Sequence, residues 1–263
     1  MSALLELNGL DKRFGQVIVA QGLALTVAPG EAVGIVGPNG AGKSTLFAMI
    51  SGDVAPDAGR VRFDGADLAG VPAHARCRAG IGRTYQVPRP FEKMTVFENV
   101  LVAATQGAGT HGHDAYDRAA AVLATTGLGA AANLRAGSLS LLQRKRLEVA
   151  RGLATDPKLL LLDEVAGGLT KPEVHELVEL IRQVKGDGVA VVWIEHVVHA
   201  LVRTVDRLLC LAGGVFVADG APEEVLRNPA VLELYFGTGP ETLPDTGADT
   251  GPDQTGPQQG VSA

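Results

Sequence analysis

A glycine-rich run near the N-terminus has the residue types that bind phosphate. The run reads Gly37-Pro38-Asn39-Gly40-Ala41-Gly42-Lys43-Ser44-Thr45. Glycines allow successive backbone N–H groups to curl around an anion. A lysine ammonium in this position reaches the β- and γ-phosphates, and a serine hydroxyl can ligate Mg²⁺. The pattern therefore predicts that the chain binds a nucleoside triphosphate together with Mg²⁺.

The residues on either side predict that this run is a loop between a strand and a helix. Ala32 to Val36 is apolar throughout, as in a buried strand, and Leu46 to Ile50 is typical of the first turns of a helix. A helix that begins at the loop directs the positive end of its dipole toward the phosphates. In a glycine-rich chain the bare pattern can arise by chance, and the flanking strand and helix weaken that explanation.

Two neighbouring acids, Asp163 and Glu164, follow the apolar run Leu159 to Leu162. Taken alone, this segment is explained equally well as a buried strand leaving the core. Beside a phosphate loop it gains a chemical meaning, because a carboxylate at the end of a strand can hold Mg²⁺ and its hydration shell. We expect Asp163 to take that role and Glu164 to orient and polarise the attacking water as a general base.

The elements that must position these residues fall into three groups. Early segments between residues 4 and 63 alternate like strands and predict an antiparallel sheet beside the nucleotide core. Helical spacing predicts a helical subdomain from about Val87 to Thr155. From residue 159 onward, continuous apolar runs predict parallel strands covered on both faces. The predicted fold class is α/β: a P-loop NTPase (RecA-like) core with an antiparallel β subdomain and a helical subdomain.

Composition and charge narrow the classes of partner. Hydrophobic residues make up 46% of the 263-residue chain and charged residues 20%, as in ordinary globular proteins. The net charge is −6, and residues 239–263 hold four of the acids with no Lys or Arg. We expect this polar, acidic tail to be disordered, and the bulk charge does not indicate a nucleic-acid partner.

Two further features bear on where the protein works. Cys77 and Cys210 are the two cysteines and do not form a disulfide framework, which favours a reducing compartment. No stretch approaches the roughly 20 apolar residues of a membrane-spanning helix, and the N-terminus lacks the pattern of a secretion signal. If the protein acts at a membrane, we expect it to do so through a partner.

With these motifs in place, the sequence from about Leu4 to Gly237 resembles the nucleotide-binding subunit of an ATP-binding cassette (ABC) transporter. The resemblance implies a nucleotide-binding domain over residues 1–238 that binds ATP and Mg²⁺ and hydrolyses ATP. It assigns Asp163 to the Walker B acid and Glu164 to the catalytic glutamate.

Three more positions take their roles from the same resemblance. Gln86, in Arg-Thr-Tyr-Gln, matches the Q-loop glutamine near Mg²⁺; His196 matches the switch histidine on the γ-phosphate; and Phe14 matches the aromatic ring that stacks on adenine. The candidate residues are then Glu164, His196, Gln86 and Lys43 for catalysis; Phe14, Gly37, Pro38, Asn39, Gly40, Ala41, Gly42, Lys43, Ser44, Thr45 and Ser140 for nucleotide binding; and Ser44, Gln86 and Asp163 for Mg²⁺.

The signature segment departs from the family. The family has Leu-Ser-Gly-Gly-Gln, which presses on the γ-phosphate held by the opposing subunit, whereas this chain has Ser140-Leu141-Leu142-Gln143 after Leu139. Ser140 and the helix start retain the means to contact phosphate. The two leucines add side chains and close off the positive φ angles that glycine allows. We expect a weaker composite site, or local adjustment within a subfamily that tolerates leucine.

Two smaller departures follow the catalytic glutamate. Val165 stands where the family usually has proline, and Thr170 stands where aspartate or asparagine is usual in the D-loop. The change at Thr170 weakens detailed claims about communication between the two sites of a dimer.

Two segments resemble the ATPase subunits of branched-chain amino acid importers: Gly82 to Val100, and Pro222 to Gly237. The resemblance implies transmembrane permease subunits as partners, contacted near Phe91 to Val100, and a second ATP-binding subunit in a homodimer or heterodimer. It also implies a solute-binding protein that acts indirectly, and a peripheral location on the cytoplasmic face of the cell membrane.

Other functions stay open at this point. The wider family also handles urea, amides and other hydrophobic or aromatic solutes, and related cassettes serve lipopolysaccharide export. A regulatory, nucleotide-sensing subunit would suit the altered signature at Leu141 and Leu142, while Asp163, Glu164 and His196 argue for catalysis. A cassette of DNA repair or translation is disfavoured, because the chain has neither a tandem second cassette nor a coiled-coil insertion.

Overall fold

The structure is a computed structural model that describes residues 3–236. The tail predicted to be disordered, residues 239–263, lies outside the described residues. The strands are β1 (Leu5–Phe14), β2 (Val17–Val27), β3 (Ala32–Val36), β4 (Ala58–Phe63), β5 (Ala66–Asp67), β6 (Ile81–Arg83), β7 (Leu159–Asp163), β8 (Ala190–Ile194), β9 (Arg207–Ala212) and β10 (Val215–Gly220). The helices are α1 (Lys43–Ser51), α2 (Ala73–Ala79), α3 (Val96–Gln106), α4 (Gly112–Thr125), α5 (Leu141–Ala154), α6 (Lys171–Gly186), α7 (Val198–Val202), α8 (Pro222–Arg227) and α9 (Pro229–Phe236).

The central sheet has six strands in the order β10-β9-β3-β8-β7-β6. Strands β9, β3, β8, β7 and β6 run parallel, and β10 closes one edge antiparallel to β9. Every residue of β3, β7 and β8 is buried. Successive residues of β7 enter opposite cores, since Leu159 and Leu161 pack with α1 while Leu160 and Leu162 pack with α6. The prediction of parallel strands covered on both faces is confirmed.

The early strands form the separate antiparallel sheet that was predicted, in the order β2-β1-β4-β5. Its inward side chains, including Leu5, Leu7 and Phe63, share one apolar core with Phe47 of α1. The alternation from Leu23 to Val27 predicts only the second half of β2, which begins at Val17. The first residues of β2 are mostly exposed and follow no strict alternation, and their pairing with β1 is irregular.

Helices α3, α4 and α5 enclose an apolar core of their own, which includes Val100, Ala119 and Leu147. Capping boxes begin two of them: Thr95 pairs with Glu98 at α3, and Ser140 pairs with Gln143 at α5. These helices match the helical spacing predicted between residues 87 and 155. Helix α4 begins at Gly112, before the helical spacing that is visible in the sequence from Tyr116. The short helix α7 was not predicted at all.

A buried arginine binds the C-terminal end of α1, the helix that begins at the phosphate loop. Arg76 in α2 is only 5% exposed. Its Nη1 donates to the carbonyls of Met49 (2.8 Å) and Ile50 (3.0 Å), in the last turn of α1. Its Nη2 and Nε donate to Leu68 and Val71. Carbonyls at a helix C-terminus lack partners within the helix, so this side chain satisfies groups that would otherwise be buried unpaired.

We therefore expect Arg76→Met to lower the free energy of unfolding by about 3 kcal/mol, because buried carbonyls would lose their donors. Urea unfolding followed by circular dichroism measures this change. Arg78→Met on the same helix is the matched control, since Arg78 makes one exposed hydrogen bond to the Gln106 carbonyl. That control should change stability by less than about 0.5 kcal/mol. Equal effects of the two substitutions would contradict the capping role.

Candidate active site

The phosphate loop, residues 37–42, joins β3 to α1 and lies directly against two other strands. A Cβ atom on Gly37 would lie 2.0 Å from the carbonyl oxygen of Leu211 in β9, and one on Gly42 would lie 2.2 Å from that of Val19 in β2. Gly42 also has φ 104°. Glycine is required at both ends of the loop because the neighbouring backbones leave no space for a side chain.

Lys43 and Ser44 are the first two residues of α1, and Gly42 caps the helix without any side-chain hydrogen bond. The first backbone N–H groups of a helix have no acceptor within it and face the loop, as an anion site requires. The Lys43 Nζ donates to the carbonyls of Gly37 (2.8 Å) and Pro38 (3.1 Å). Burial lowers the pKa of Lys43, while the carboxylates of Glu164 and Asp163 oppose that shift.

Three predicted residues meet at the carboxyl end of the sheet. Glu164 follows β7, Gln86 follows β6, and His196 follows β8. The Gln86 Nε2 donates to one carboxylate oxygen of Glu164. The His196 Nε2 lies 2.8 Å from the other oxygen. Both oxygens of Glu164 are thus held, and the side chain retains 17% exposure.

Asp163, the last residue of β7, is a buried carboxylate that can still accept a ligand or a hydrogen bond. Its Oδ2 lies 3.6 Å from Arg83 Nη2, whereas Oδ1 is buried and has no hydrogen-bond partner within residues 3–236. Burial raises the pKa of Asp163, and Arg83 opposes the shift. A buried carboxylate oxygen without a donor suits a divalent cation. Within residues 3–236, no three His, Cys, Asp or Glu side chains cluster as a metal site.

The remaining nucleotide-binding candidates lie at two separate places. Phe14, at the end of β1, has a 51% exposed ring, and the Lys12 Nζ lies 5.3 Å from the ring centroid. The β1–β2 hairpin reaches the phosphate loop through Val19. Ser140 caps α5 in the helical subdomain, where its Oγ accepts from the Gln143 N–H at 3.3 Å. Ser140 is exposed and its hydrogen bonds are local to α5.

The signature leucines adopt ordinary helical geometry. The non-glycine residues with positive φ within residues 3–236 are Asp64, Asp156 and Glu164, so neither Leu141 nor Leu142 needs an angle reserved for glycine. The segment is the first turn of α5, a helical backbone that leucine adopts without strain. What the leucines add is bulk: Leu141 is 44% exposed, and its Cδ2 would lie 3.3 Å from a Cβ on Gly168.

The two departures that follow Glu164, the predicted catalytic glutamate, lie in well-defined local geometry. Thr170 is the N-cap of α6, where its N–H and its Oγ1 both donate to Glu173 Oε2, at 2.8 Å and 2.7 Å. Glu164 has φ 48°. Proline disfavours helical backbone in the residue before it, a restriction that Val165 does not impose on Glu164.

Sequence reasoning missed a buried carboxylate next to His196, the predicted switch histidine. Glu195 is 1% exposed. It accepts from the N–H of Ala166 (2.6 Å), from that of His196 (3.2 Å) and from Trp193 Nε1 (3.3 Å). Burial raises the pKa of Glu195. The sequence signal that could have identified Glu195 is its position directly after the apolar strand β8.

Comparison with known families identifies the class of protein. The family model described as ABC transporter matches residues 20–167, and the model described as branched-chain amino acid ATP-binding cassette transporter matches residues 217–241. The chain belongs to the ABC transporter family and is a nucleotide-binding ATPase of that family. Within residues 3–236, no helix combines the length and apolarity needed to cross a membrane.

Individual relatives match over almost their whole length. The high-affinity branched-chain amino acid transport ATP-binding protein BraF of Pseudomonas aeruginosa is 36% identical, over 89% of this chain and 98% of its own. The lipopolysaccharide export system ATP-binding protein LptB of Acidithiobacillus ferridurans is 35% identical, over 90% of this chain and 98% of its own. A crystal structure of the ADP conformation of an ATP-binding cassette has a TM-score of 0.82 at 29% identity, covering 90% of this chain and 100% of that one.

We expect Gly42→Ala to weaken nucleotide binding by roughly 10²-fold, equivalent to about 3 kcal/mol. The added methyl group would collide with the Val19 carbonyl and push the loop out of shape. Titration with a fluorescent ATP analogue measures the affinity. Gly65→Ala is the control, because Gly65 also has positive φ (79°) but a Cβ there meets no atom within 4 Å. Unchanged affinity in Gly42→Ala would contradict the proposed role of the loop.

Proposed function

We propose that this chain is the ATP-hydrolysing subunit of an importer that takes up branched-chain amino acids or a related small solute. The observation that carries the proposal is the convergence of Gln86 and His196 on the two carboxylate oxygens of Glu164, beside the loop that ends in Lys43. The match of residues 217–241 to a model for branched-chain amino acid cassettes supports the choice of solute.

In this proposal the phosphates of ATP lie on the backbone N–H groups of residues 39–45, and the Lys43 ammonium leaves its carbonyl partners to neutralise phosphate charge. Ser44, Gln86 and the unpaired Oδ1 of Asp163 would hold Mg²⁺. When bound, Mg²⁺ neutralises charge that develops on the phosphate oxygens. Arg83 beside Asp163 favours the ionised carboxylate that a metal ligand must be, against the opposing effect of burial.

Glu164 is the proposed general base. Its side chain is partly exposed, so water can reach it, while Gln86 and His196 orient both oxygens. A fixed carboxylate accepts a proton from an aligned water molecule as that water attacks phosphorus. His196 is 37% exposed on the same edge and would donate a hydrogen bond to the γ-phosphate. Phe14 offers an exposed ring for adenine to stack on.

The proposed assembly contains permease subunits and a second ATP-binding subunit, at the cytoplasmic face of the cell membrane. ATP would close the two cassettes face to face, with Ser140 of each reaching the γ-phosphate on the other. Hydrolysis would reopen them while the permease alternates access, and a solute-binding protein would act through the permease. The exposed side chains of Tyr85, Val87 and Phe91 suit the permease contact.

A regulatory, nucleotide-sensing subunit is the second candidate, and one observation favours it. Leu141 is 44% exposed at the start of α5, where an opposing nucleotide would approach. A cassette for lipopolysaccharide export is a third candidate, favoured by the similarity to LptB. Steady-state ATP hydrolysis, measured with and without partner subunits, separates a catalytic subunit from a sensing one. Uptake of radiolabelled leucine, compared between cells that have the chain and cells that lack it, separates import from export.

We expect Glu164→Gln to retain ATP binding and to lose turnover by roughly 10²-fold or more, because the amide cannot accept the proton from water. Phosphate release measures turnover, and a fluorescent analogue measures binding. Glu179→Gln, on the exposed face of α6, is the control and should hydrolyse ATP at the wild-type rate. Near-normal hydrolysis by Glu164→Gln would remove the assigned role.

We also expect the composite site formed with Leu141 and Leu142 to turn over more slowly than the site on this chain's own phosphate loop, if the partner cassette has a glycine signature. The exposed bulk of Leu141 obstructs the close approach of backbone to phosphate. Nucleotide occupancy and single-turnover hydrolysis, measured separately at the two sites of the assembled transporter, test this expectation. Equal turnover at both sites would rule it out.

A further inference from the structure

A buried lysine in α5 contacts the main chain of two residues placed at the site. Lys145 is 4% exposed. Its Nζ donates to the carbonyl of Gln86 at 2.9 Å and to the carbonyl of Glu164 at 3.0 Å. Gln86 follows β6 and Glu164 follows β7, so this one ammonium joins two neighbouring loops to a helix of the helical subdomain.

Burial of the Lys145 ammonium costs free energy. Both hydrogen bonds go to neutral carbonyls, and burial lowers the pKa of Lys145. The charges that oppose this shift belong to Glu195, Glu164, Glu148 and Asp163. Burying an ammonium costs free energy unless hydrogen bonds and nearby carboxylates offset it. A neutral side chain would fill the same volume without that cost, so packing alone does not explain a lysine here.

The carbonyl that Lys145 holds belongs to a residue with an uncommon backbone. Glu164 has φ 48°, a region that non-glycine residues seldom occupy and that persists only where surrounding contacts impose it. The Lys145 hydrogen bond is such a contact. A fixed main chain fixes the direction of the Cα–Cβ bond of Glu164, while Gln86 and His196 hold its two carboxylate oxygens.

The same face of α5 holds the residues that follow Gln86. Glu148 accepts from the Arg89 N–H at 2.9 Å, and Arg151 donates to the Arg89 carbonyl at 2.9 Å. Lys145, Glu148 and Arg151 lie three residues apart and so project from neighbouring turns of one face. Of these three, Lys145 also reaches Glu164.

We infer that Lys145 is a positioning residue for ATP hydrolysis: it sets the main chain of Glu164 and Gln86 together from α5. A displacement of α5, which carries the signature segment at its start, would then move both Glu164, the proposed base, and Gln86, a proposed Mg²⁺ ligand. This inference rests on the proposed function, because it takes Glu164 as the base.

The test compares Lys145→Met with Lys145→Arg and with Arg146→Met in the full-length chain. Methionine keeps an apolar stem and removes both donors, whereas arginine keeps a cation that can donate to both carbonyls. Arg146 is the next residue of α5 and pairs with Glu176 on α6 at 2.6 Å, away from Gln86 and Glu164. Steady-state kinetics with Mg²⁺–ATP and hydrogen–deuterium exchange are measured on each variant.

We expect Lys145→Met to lower kcat about ten-fold or more with KM for ATP within about three-fold of wild type, since the lost contact acts on the transition state. Amides at 86–89 and 164–167 should exchange at least about ten-fold faster, with α5 itself unchanged. Lys145→Arg should keep at least about a third of wild-type kcat, and Arg146→Met should match wild type in both measurements.

A kcat for Lys145→Met within about two-fold of wild type would overturn the inference, as would equal losses in all three variants. Faster exchange spread over the whole of α5 would also overturn it, because that pattern indicates a merely structural role. Should Lys145→Met not fold, Lys145→Gln replaces it under the same criteria. Glu164→Gln, run in parallel, separates the two hypotheses: if it still hydrolyses ATP, the proposed function fails, whereas the exchange data still report whether Lys145 anchors both loops.

Discussion

The register of the parallel strands is the constraint on which the rest of the structure depends. Arg83 pairs with Leu161, and Asp163 pairs with Ile194, so β6, β7 and β8 end at one edge. The polar residue of each strand follows within three residues of the strand's end: Gln86 after β6, Glu164 after β7 and His196 after β8. The carboxylate of Glu164 meets Gln86 on one side and His196 on the other because of this alignment. A shift of one residue in any pairing would turn these side chains to the opposite face.

Buried charges distinguish this edge from the apolar core beneath it. Lys43, Lys145, Asp163 and Glu195 are each less than a tenth exposed. Lys43, Lys145 and Glu195 are satisfied largely by main-chain groups, which fixes loops as well as side chains. Buried polar networks of this kind are stabilising only when nearly every group has a partner. Asp163 differs from these three residues, because its Oδ1 has no hydrogen-bond partner within residues 3–236 and lies at the position expected to face Mg²⁺.

The helical subdomain is tied to the site at a few definable points. Its helix α5 begins at Ser140 and Leu141, at the surface where an opposing cassette is expected, and reaches Gln86 and Glu164 through Lys145. The three helices have an apolar core of their own, and α5 also contributes Val149 to the sheet core that contains Leu160 and Leu162.

The sequence alone determined the elements and the chemical types at the site, because a phosphate loop, apolar strands and helical spacing are local patterns. It did not reveal that Arg76 caps α1, that Lys145 is buried within a basic run, or that Glu164 has positive φ. Nor did it reveal that Leu141 lies beside Gly168, some 27 residues along the chain. These features depend on which distant carbonyls and backbones meet in the folded chain. Burial, hydrogen-bond partners and the geometry around Glu164 were therefore decided by the tertiary structure, since contacts between distant segments leave no periodic pattern in the residues that make them.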